Sequence, residues 1–210
     1  MNLLNKIVAL FMVIIMCGWA SPNVKPNISV EQLVKSNKAV VVFSITQPLQ
    51  SEGYGDSLFR LTPTGSFNSI YATSHDIMNP FNGTPPSEFN DRYGRVATLE
   101  LAPGEYQVDW MFSDGNGHFS VQGGHPEKNV IRVEAGEVVY VGALSIELQF
   151  GEALFNARRV FGAAGSLSDE SARDIPLFQK KYPKLGKPQI RLFRLGPIVS
   201  DTSNVLDSVK

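Results

Sequence analysis

The chain has 210 residues, of which 19 % are charged, and it contains 18 Gly and 13 Pro with a formal net charge of −1 at pH 7. A charged fraction below the roughly one quarter typical of soluble domains, with so many turn-forming residues, excludes an acidic disordered chain, a coiled coil and a collagen-like chain. A chain of this length predicts one globular domain that buries a sizeable core without disulfides or metal.

The N-terminus has the pattern of a secretion signal. Lys6 is followed by the uncharged stretch Ile7–Ala20, and its strongly apolar part, Ile7–Met16, is ten residues long. That length suits a signal-peptide core and falls well short of the ~20 apolar residues that a membrane-spanning helix needs. Gly18 and Ala20 place small side chains where a signal peptidase requires them. We expect residues 1–20 to be a signal peptide and the mature chain to be exported, with no membrane span.

Cys17 is the only cysteine and lies inside the predicted signal. Cleavage after Ala20 leaves no thiol for a disulfide, a cysteine nucleophile or a Cys-based zinc site. A lipoprotein signal has a small residue directly before the acylated cysteine, whereas Met16 occupies that position here. The sequence favours Cys17 as an incidental apolar residue over a lipid anchor, and an exported domain without cysteine favours a bacterial periplasm or cell envelope.

The first predicted elements are a short helix and a buried strand. Residues 21–38 form a segment that leads into the domain. Within it Ser29 and Gln32 have capping-box spacing, which predicts a helical turn or two from Val30 to Ser36. Ala39–Ile45 is a nearly continuous apolar run rich in Val, which predicts a strand buried on both faces.

The next stretch predicts two strands and a long loop. Ser57–Thr62 and Phe67–Thr73 are joined by a turn signal at Pro63-Thr64-Gly65. Residues 74–94 are rich in Pro, Gly and Asn and predict an irregular loop. Loops of that length inside a compact domain are more often functional than ordinary connections are.

Strict alternation of apolar and polar residues marks residues 95–150. It runs through Arg95–Leu101 and resumes at Tyr106, Val108, Trp110 and Phe112. Such alternation is typical of strands with one face in a core. Pro103 and Gly104 suit a tight turn, so we expect these two strands to form a hairpin.

The alternation continues after a Gly-rich loop and a further strand at Asn129–Val133. The apolar parity of the last strand is Val138, Tyr140, Leu144, Ile146, Leu148 and Phe150. Gly142 shares this parity and predicts a bulge or bend. Strands joined by short turns without helices predict an antiparallel β-sandwich over residues 39–150.

The C-terminal part predicts a helix. Residues from Ser168 to Tyr182 have apolar side chains at helical spacing: Ile175, Phe178 and Tyr182. Pro176 suits the first turn of a helix, so we expect the regular helix to begin there. Residues 151–210 are therefore predicted to be a helical and basic appendage that packs on the sandwich.

Charge is unevenly distributed. Residues 21–150 carry 8 Lys/Arg and 14 Asp/Glu, whereas residues 151–210 carry 10 and 6. The candidate ligand-binding cations in this part are Arg173, Lys180, Lys181, Lys184 and Lys187. They indicate either a basic patch for an anionic lipid or polymer or a solvated helix face. Nucleic acid is not expected, because the chain is exported and its mature form is slightly acidic.

The candidate metal ligands are Asp114, His118 and His125. Oxygen donors at alternate positions in Asp114-Gly-Asn116-Gly-His118 are typical of the start of a calcium loop, but the distal Glu is missing. Two imidazoles with Asp114 would suit zinc or copper instead, and His75 could add a ligand if the two loops meet. The alternative is a strand-connecting turn in which Asp and Asn bond the local backbone.

One motif resembles a known class of sandwich. Leu101-Ala-Pro-Gly-Glu-Tyr106, continued by alternating apolar residues, resembles the Pro-Gly-x-Tyr hairpin of transthyretin-like and carboxypeptidase-regulatory-like sandwiches. The layout, with Gly-Glu-x-x-Tyr-x-Gly at Gly136–Gly142 and a helix ending in Tyr182-Pro183, is similar to uncharacterised bacterial envelope proteins and lipoproteins. The resemblance covers residues 95–183, implies a non-catalytic module and supplies no site residues.

Two function classes remain. The first is an exported, non-catalytic binding or accessory module of the bacterial cell envelope, without cofactor, whose partner is an envelope protein or an anionic lipid or polymer. The second is a small metal-dependent or glycan-cleaving enzyme that uses loops 74–94 and 114–125. The predicted fold for both is mainly β, an antiparallel β-sandwich with a short C-terminal helix.

Overall fold

Two β-sheets and two helices account for most of the computed structural model. It describes residues 24–25, 27–51, 55–74, 86–113, 120–123, 129–152, 158–193 and 196–198. The elements in chain order are α1 (Val30–Lys35), β1 (Ala39–Pro48), β2 (Asp56–Pro63), β3 (Ile70–Thr73), β4 (Arg92–Leu101), β5 (Gly104–Ser113), β6 (Ser120–Gly123), β7 (Val130–Val133), β8 (Val138–Glu152), β9 (Arg158–Ser168), α2 (Ser171–Lys181), β10 (Gln189–Ile190) and β11 (Gly196–Ile198).

The strands form a β-sandwich, which confirms the predicted fold class. The main sheet has the order β11-β9-β8-β1-β4, with β10 beside the first part of β8. The second sheet has the order β3-β2-β5-β6, with β7 beside the first part of β5. Most pairs are antiparallel, but β1 and β10 both run parallel to β8. Side-chain parity shows which face of a strand is buried and carries no information about the direction of its neighbour.

Strand β1 of the main sheet is buried on both faces, as its apolar run predicts. Its inward side chains, Ala39, Val41, Phe43 and Ile45, belong to the core between the sheets. Its outward side chains Val40 and Val42 belong to a second cluster, in which Leu33 of α1 and Phe178 of α2 cover them. Helices on the outer face explain why β1 shows no alternation. The capping box that begins α1 is formed by Ser29 and Gln32, as predicted.

A bulge at Gly142 turns β8 over. The register with β1 shifts at this point, and Gly142 has a φ of 115°. Tyr140 therefore faces outward under α2, whereas Leu144 and Ile146 face the core between the sheets. The predicted bulge is confirmed. The prediction that Tyr140 and Leu144 share one face is wrong, because the extra residue reverses the parity.

The tight turn between β4 and β5 does not form the predicted hairpin. β4 pairs with β1 in the main sheet, while β5 pairs with β2, β6 and β7 in the second sheet. The turn thus carries the chain from one sheet to the other, and both strands keep their alternation because each faces the same core. Tyr106 closes the turn by donating its hydroxyl to the carbonyl oxygen of Ala102 at 2.8 Å. This is the geometry of a tyrosine corner.

The sheets approach closely around Trp110, which is fully buried on β5. A Cβ atom added to Gly165 of β9 would lie 2.5 Å from the indole ring. Only a glycine leaves the space that this ring occupies between the two sheets.

Two boundaries in the C-terminal part differ from the prediction. Residues 158–168, assigned to a helical appendage, form β9 and pair with β8 along its second half. The helix begins at Ser171 rather than at Pro176, which lies inside it. Pro176 and Ala172 are both exposed, so water can bond the carbonyl that the missing proline N–H leaves free. Pro183 follows the helix and starts a 3₁₀ turn.

Tyr106→Phe tests the tyrosine corner. It removes one buried hydrogen bond and keeps the ring, so we expect the free energy of unfolding to fall by about 1 kcal/mol. Tyr71→Phe, which alters a half-exposed ring on β3, should change it by less than about 0.5 kcal/mol. Urea denaturation measures both. Equal effects of the two variants would contradict the assignment.

Candidate functional site

The predicted metal ligands lie outside the described residues. Asp114, His118, His125 and His75 all fall in residues 75–85, 114–119 or 124–128, so the metal site stays a prediction. In the described ranges, no group of three or more His, Cys, Asp or Glu is placed to hold a metal ion. Cys17 and the rest of the predicted signal also lie outside these ranges. Neither of the two helices described has the length and apolar composition needed to cross a membrane.

Helix α2 lies across the outer face of the main sheet, over β8, β1 and β4. Its buried side chains Ile175 and Phe178 pack on the outward apolar residues of the sheet. At its C-terminal end, Thr98 of β4 donates its hydroxyl to the phenolic oxygen of Tyr182 at 3.1 Å. The helix therefore connects the middle of the sheet to its β4 edge.

A fully buried carboxylate fixes the helix on the sheet. Asp174 has no exposed surface, and its Oδ2 accepts hydrogen bonds from the hydroxyls of Ser44 at 2.6 Å and Tyr140 at 2.7 Å. Its Oδ1 accepts from Nε of Arg173 at 2.8 Å. A terminal nitrogen of Arg173 also donates to Ser44, at 3.1 Å. One acid on the helix thus binds donors from β1, β8 and the helix itself.

The hydrogen bonds around Asp174 hold α2 in one position on the sheet. Burying a charge is costly unless it is paired and hydrogen-bonded, and here both oxygens of Asp174 have partners. Burial, and then the charge of Asp174, raises the pKa of Tyr140, so this phenol remains a donor at neutral pH. The guanidinium of Arg173 stacks over the Phe89 ring at 4.3 Å from its centroid. The Arg173 side chain thus contacts Asp174, Ser44 and Phe89.

Lys181 protects the free edge of the main sheet. Its Nζ pairs with Glu88 and donates to the carbonyl of Val96 at 2.9 Å, while Glu88 accepts from the N–H of Val96 at 2.9 Å. Two residues earlier, the N–H of Gly94 donates to Oγ of Ser87 at 3.1 Å. Unpaired edge groups are templates for aggregation, and side-chain caps remove them. Lys181, predicted to bind a ligand, is partly exposed and is held at this sheet edge by Glu88 and the Val96 carbonyl.

Lys180, Lys184 and Lys187 are the remaining predicted cations, and all three are exposed. We call them the lysine surface. No Asp or Glu occurs in residues 175–200, so the sequence places no carboxylate near them along the chain. By contrast Arg191, close in sequence, is held by Glu137. The Arg191 guanidinium lowers the pKa of Glu137 by hydrogen bonding.

A polar trough lies on the outer face of the main sheet, at the N-terminal end of α2. Thr46, Ser145 and Ser166 are neighbours on β1, β8 and β9 and form its floor. The Arg92–Glu147 ion pair forms one wall, and the side chains of Glu170 and Arg173 at the start of α2 form another. The space has a volume of about 180 Å³. We call it the hydroxyl trough.

Sequence reasoning missed the trough for a physical reason. Ser145 and Glu147 lie on the polar parity of β8, which predicts only that they face away from the core between the sheets. Ser166 is visible only as one serine beside a glycine. The three hydroxyls meet because β1 pairs with β8 in parallel, a pairing that no local pattern reveals.

Lys181→Met tests the role of the edge lysine. The change removes the partner of Glu88 and of a backbone carbonyl, and we expect about 1–2 kcal/mol of lost stability and faster aggregation. The adjacent Lys180→Met alters an exposed side chain and should stay within about 0.5 kcal/mol. Thermal unfolding with light scattering measures both quantities. If Lys180→Met were as damaging as Lys181→Met, the edge role would be wrong.

Comparisons with known proteins identify no family. No protein-family model matches the chain, and no curated protein matches it. One solved structure is similar, a leucine-rich repeat protein from Bacteroides thetaiotaomicron VPI-5482, with 12 % sequence identity and a TM-score of 0.35. The match covers 64 % of this chain and 19 % of that chain. A similarity of this extent carries no conclusion about fold or function.

Proposed function

We propose that this chain is an exported, non-catalytic binding module of the bacterial cell envelope, and that its lysine surface binds anionic lipid headgroups. One observation carries the proposal. Arg173, Lys181 and Arg191 are each held by a carboxylate, whereas Lys180, Lys184 and Lys187 are exposed in a stretch without Asp or Glu. The first group is paired within the fold, and the exposed lysines are the group that supports binding of a partner.

The position of the lysines favours a surface-like partner. They lie at the end of α2 and in the turns that follow it, so their side chains extend from one segment of eight residues, 180–187. Ile190, three residues beyond Lys187, is 47 % exposed. Cations beside an exposed apolar side chain are typical of segments that bind at a lipid interface. The signal pattern of residues 1–20 supports the envelope as the compartment.

Binding to vesicles tests this function. Each lysine near an anionic bilayer contributes about 1 kcal/mol, so replacing all three should weaken binding by roughly a hundredfold. The variant is Lys180→Gln with Lys184→Gln and Lys187→Gln, and the measurement is sedimentation with phosphatidylglycerol-containing vesicles. Raising the salt concentration should also weaken vesicle binding by the native protein, because salt screens the attraction between the lysines and the anionic headgroups.

A variant of equal net charge provides the control. Lys25→Gln with Lys35→Gln and Lys38→Gln removes three lysines from the segment around α1, and it should leave vesicle binding nearly unchanged. If both triple variants lost vesicle binding equally, net charge alone would explain the binding, and the lysine surface would not be a specific site. Absence of binding by the native chain at low salt would refute the lipid partner, and an envelope protein or wall polymer would take its place.

The enzymatic alternative has no support among the described residues. Its loops 74–94 and 114–125 lie mostly outside them, so the catalytic use of His75, His118 or His125 stays a prediction. The described polar network around Asp174 is buried, and each of its donors already points at the carboxylate. It is suited to holding a helix in place.

A further inference from the structure

We infer that the hydroxyl trough is a binding site for a neutral, polyhydroxylated ligand of about one sugar ring. This site is separate from the lysine surface and uses none of its residues. A helix rises about 1.5 Å per residue, so the ten residues from Glu170 to Lys180 separate the two sites by about 15 Å along α2.

The floor of the trough provides groups that both donate and accept hydrogen bonds. Thr46, Ser145 and Ser166 lie side by side on three adjacent strands, and neighbouring strands are about 4.8 Å apart. Thr46 is buried, and its hydroxyl lies 3.5 Å from the Leu144 carbonyl oxygen and 3.4 Å from the Ser145 hydroxyl, so both contacts are weak. Ser145 and Ser166 are partly exposed. A serine or threonine hydroxyl is at once donor and acceptor, as is each hydroxyl of a sugar. A row of such groups matches a ligand that has the same dual character.

The walls of the trough disfavour an anion. Arg92 is paired with Glu147, and Arg173 with Asp174 at 2.8 Å and with Glu170 at 4.0 Å. The trough is thus lined by two guanidiniums and two carboxylates, whose charges sum to zero, because the buried Asp174 is not among its lining residues. A phosphate or carboxylate would have to displace one of these pairs, whereas a neutral hydroxyl can donate to a carboxylate that remains paired.

Two carboxylates remain accessible to a ligand. The side chain of Glu147 is 59 % exposed and that of Glu170 is 42 % exposed, on opposite sides of the hydroxyl row. Ionised carboxylates accept hydrogen bonds at several lone pairs, which suits a ligand with several hydroxyl donors. The volume of about 180 Å³ is several times that of one water molecule and below the range of about 300–1,000 Å³ typical of drug-sized ligands.

An NMR titration of the mature chain tests the site. The probes are glucose, galactose, mannose and N-acetylglucosamine as neutral sugars, with glucuronate and glucosamine as charged ones. We expect at least one neutral sugar to shift the backbone amides of Ser145 and Ser166 with a dissociation constant on the order of 1 mM, and to leave those of Arg60 and Asp109 on the second sheet unchanged.

Two variants and a control identify the contacts. Glu147→Gln keeps the shape of the wall and should weaken binding about tenfold. Ser166→Leu fills the floor and should abolish binding. Glu105→Gln changes an exposed carboxylate on β5 and should have no effect.

Three results would overturn the inference. The first is the absence of shifts at the trough with every neutral sugar at ~10 mM, a concentration that saturates a millimolar site. The second is tighter binding of glucuronate or glucosamine than of glucose. The third is equal binding by Glu147→Gln, Ser166→Leu and the native chain. Loss of vesicle binding alone would leave the trough unaffected, because the two experiments use different residues.

Discussion

The position of α2 on the main sheet depends on one buried carboxylate. Asp174 has no exposed surface, and donors from β1, β8 and the helix bind both of its oxygens. A charged group in such surroundings is tolerated only where its partners are in place, so the network selects one position of the helix on the sheet. That position determines both proposed sites. The first residues of α2 form a wall of the hydroxyl trough, and its last turn begins the lysine surface.

The outer face of β1 changes from apolar to polar at the point where α2 begins. Its outward residues change along the strand from Val40 and Val42 to Ser44 and Thr46. The helix covers the apolar half, Ser44 binds Asp174 at the boundary, and Thr46 lies beyond it in the trough. A strand buried on both faces is ordinarily apolar throughout. Here the polar end of the strand contributes Thr46 to the floor of the hydroxyl trough, the candidate sugar site.

The sequence predicted the local structure well and the long-range contacts poorly. The capping box at Ser29, the apolar run of β1 and the bulge at Gly142 are local patterns, and each was recoverable. The path of the chain after Leu101 could not be recovered from the sequence. A strand with one face in a core shows the same alternation whether the next strand in the chain lies beside it in the same sheet or across the core in the other sheet. The Ser44–Asp174 bond joins residues 130 positions apart, and Ser166 reaches Thr46 only through β8. No spacing rule brings such residues together.

Amide hydrogen exchange of an Asp174→Asn variant tests the central claim, that this carboxylate holds α2 on the sheet. The Asn side chain replaces one acceptor oxygen by an N–H donor, which faces donors that need an acceptor. The backbone amides of α2 should therefore exchange roughly ten- to a hundredfold faster than in the native chain, while those of β5 keep their protection. Asp109→Asn, which removes the charge of a largely buried carboxylate paired with Arg60 on the second sheet, is the matched control and should leave α2 unchanged. Native protection of α2 in Asp174→Asn would contradict the account.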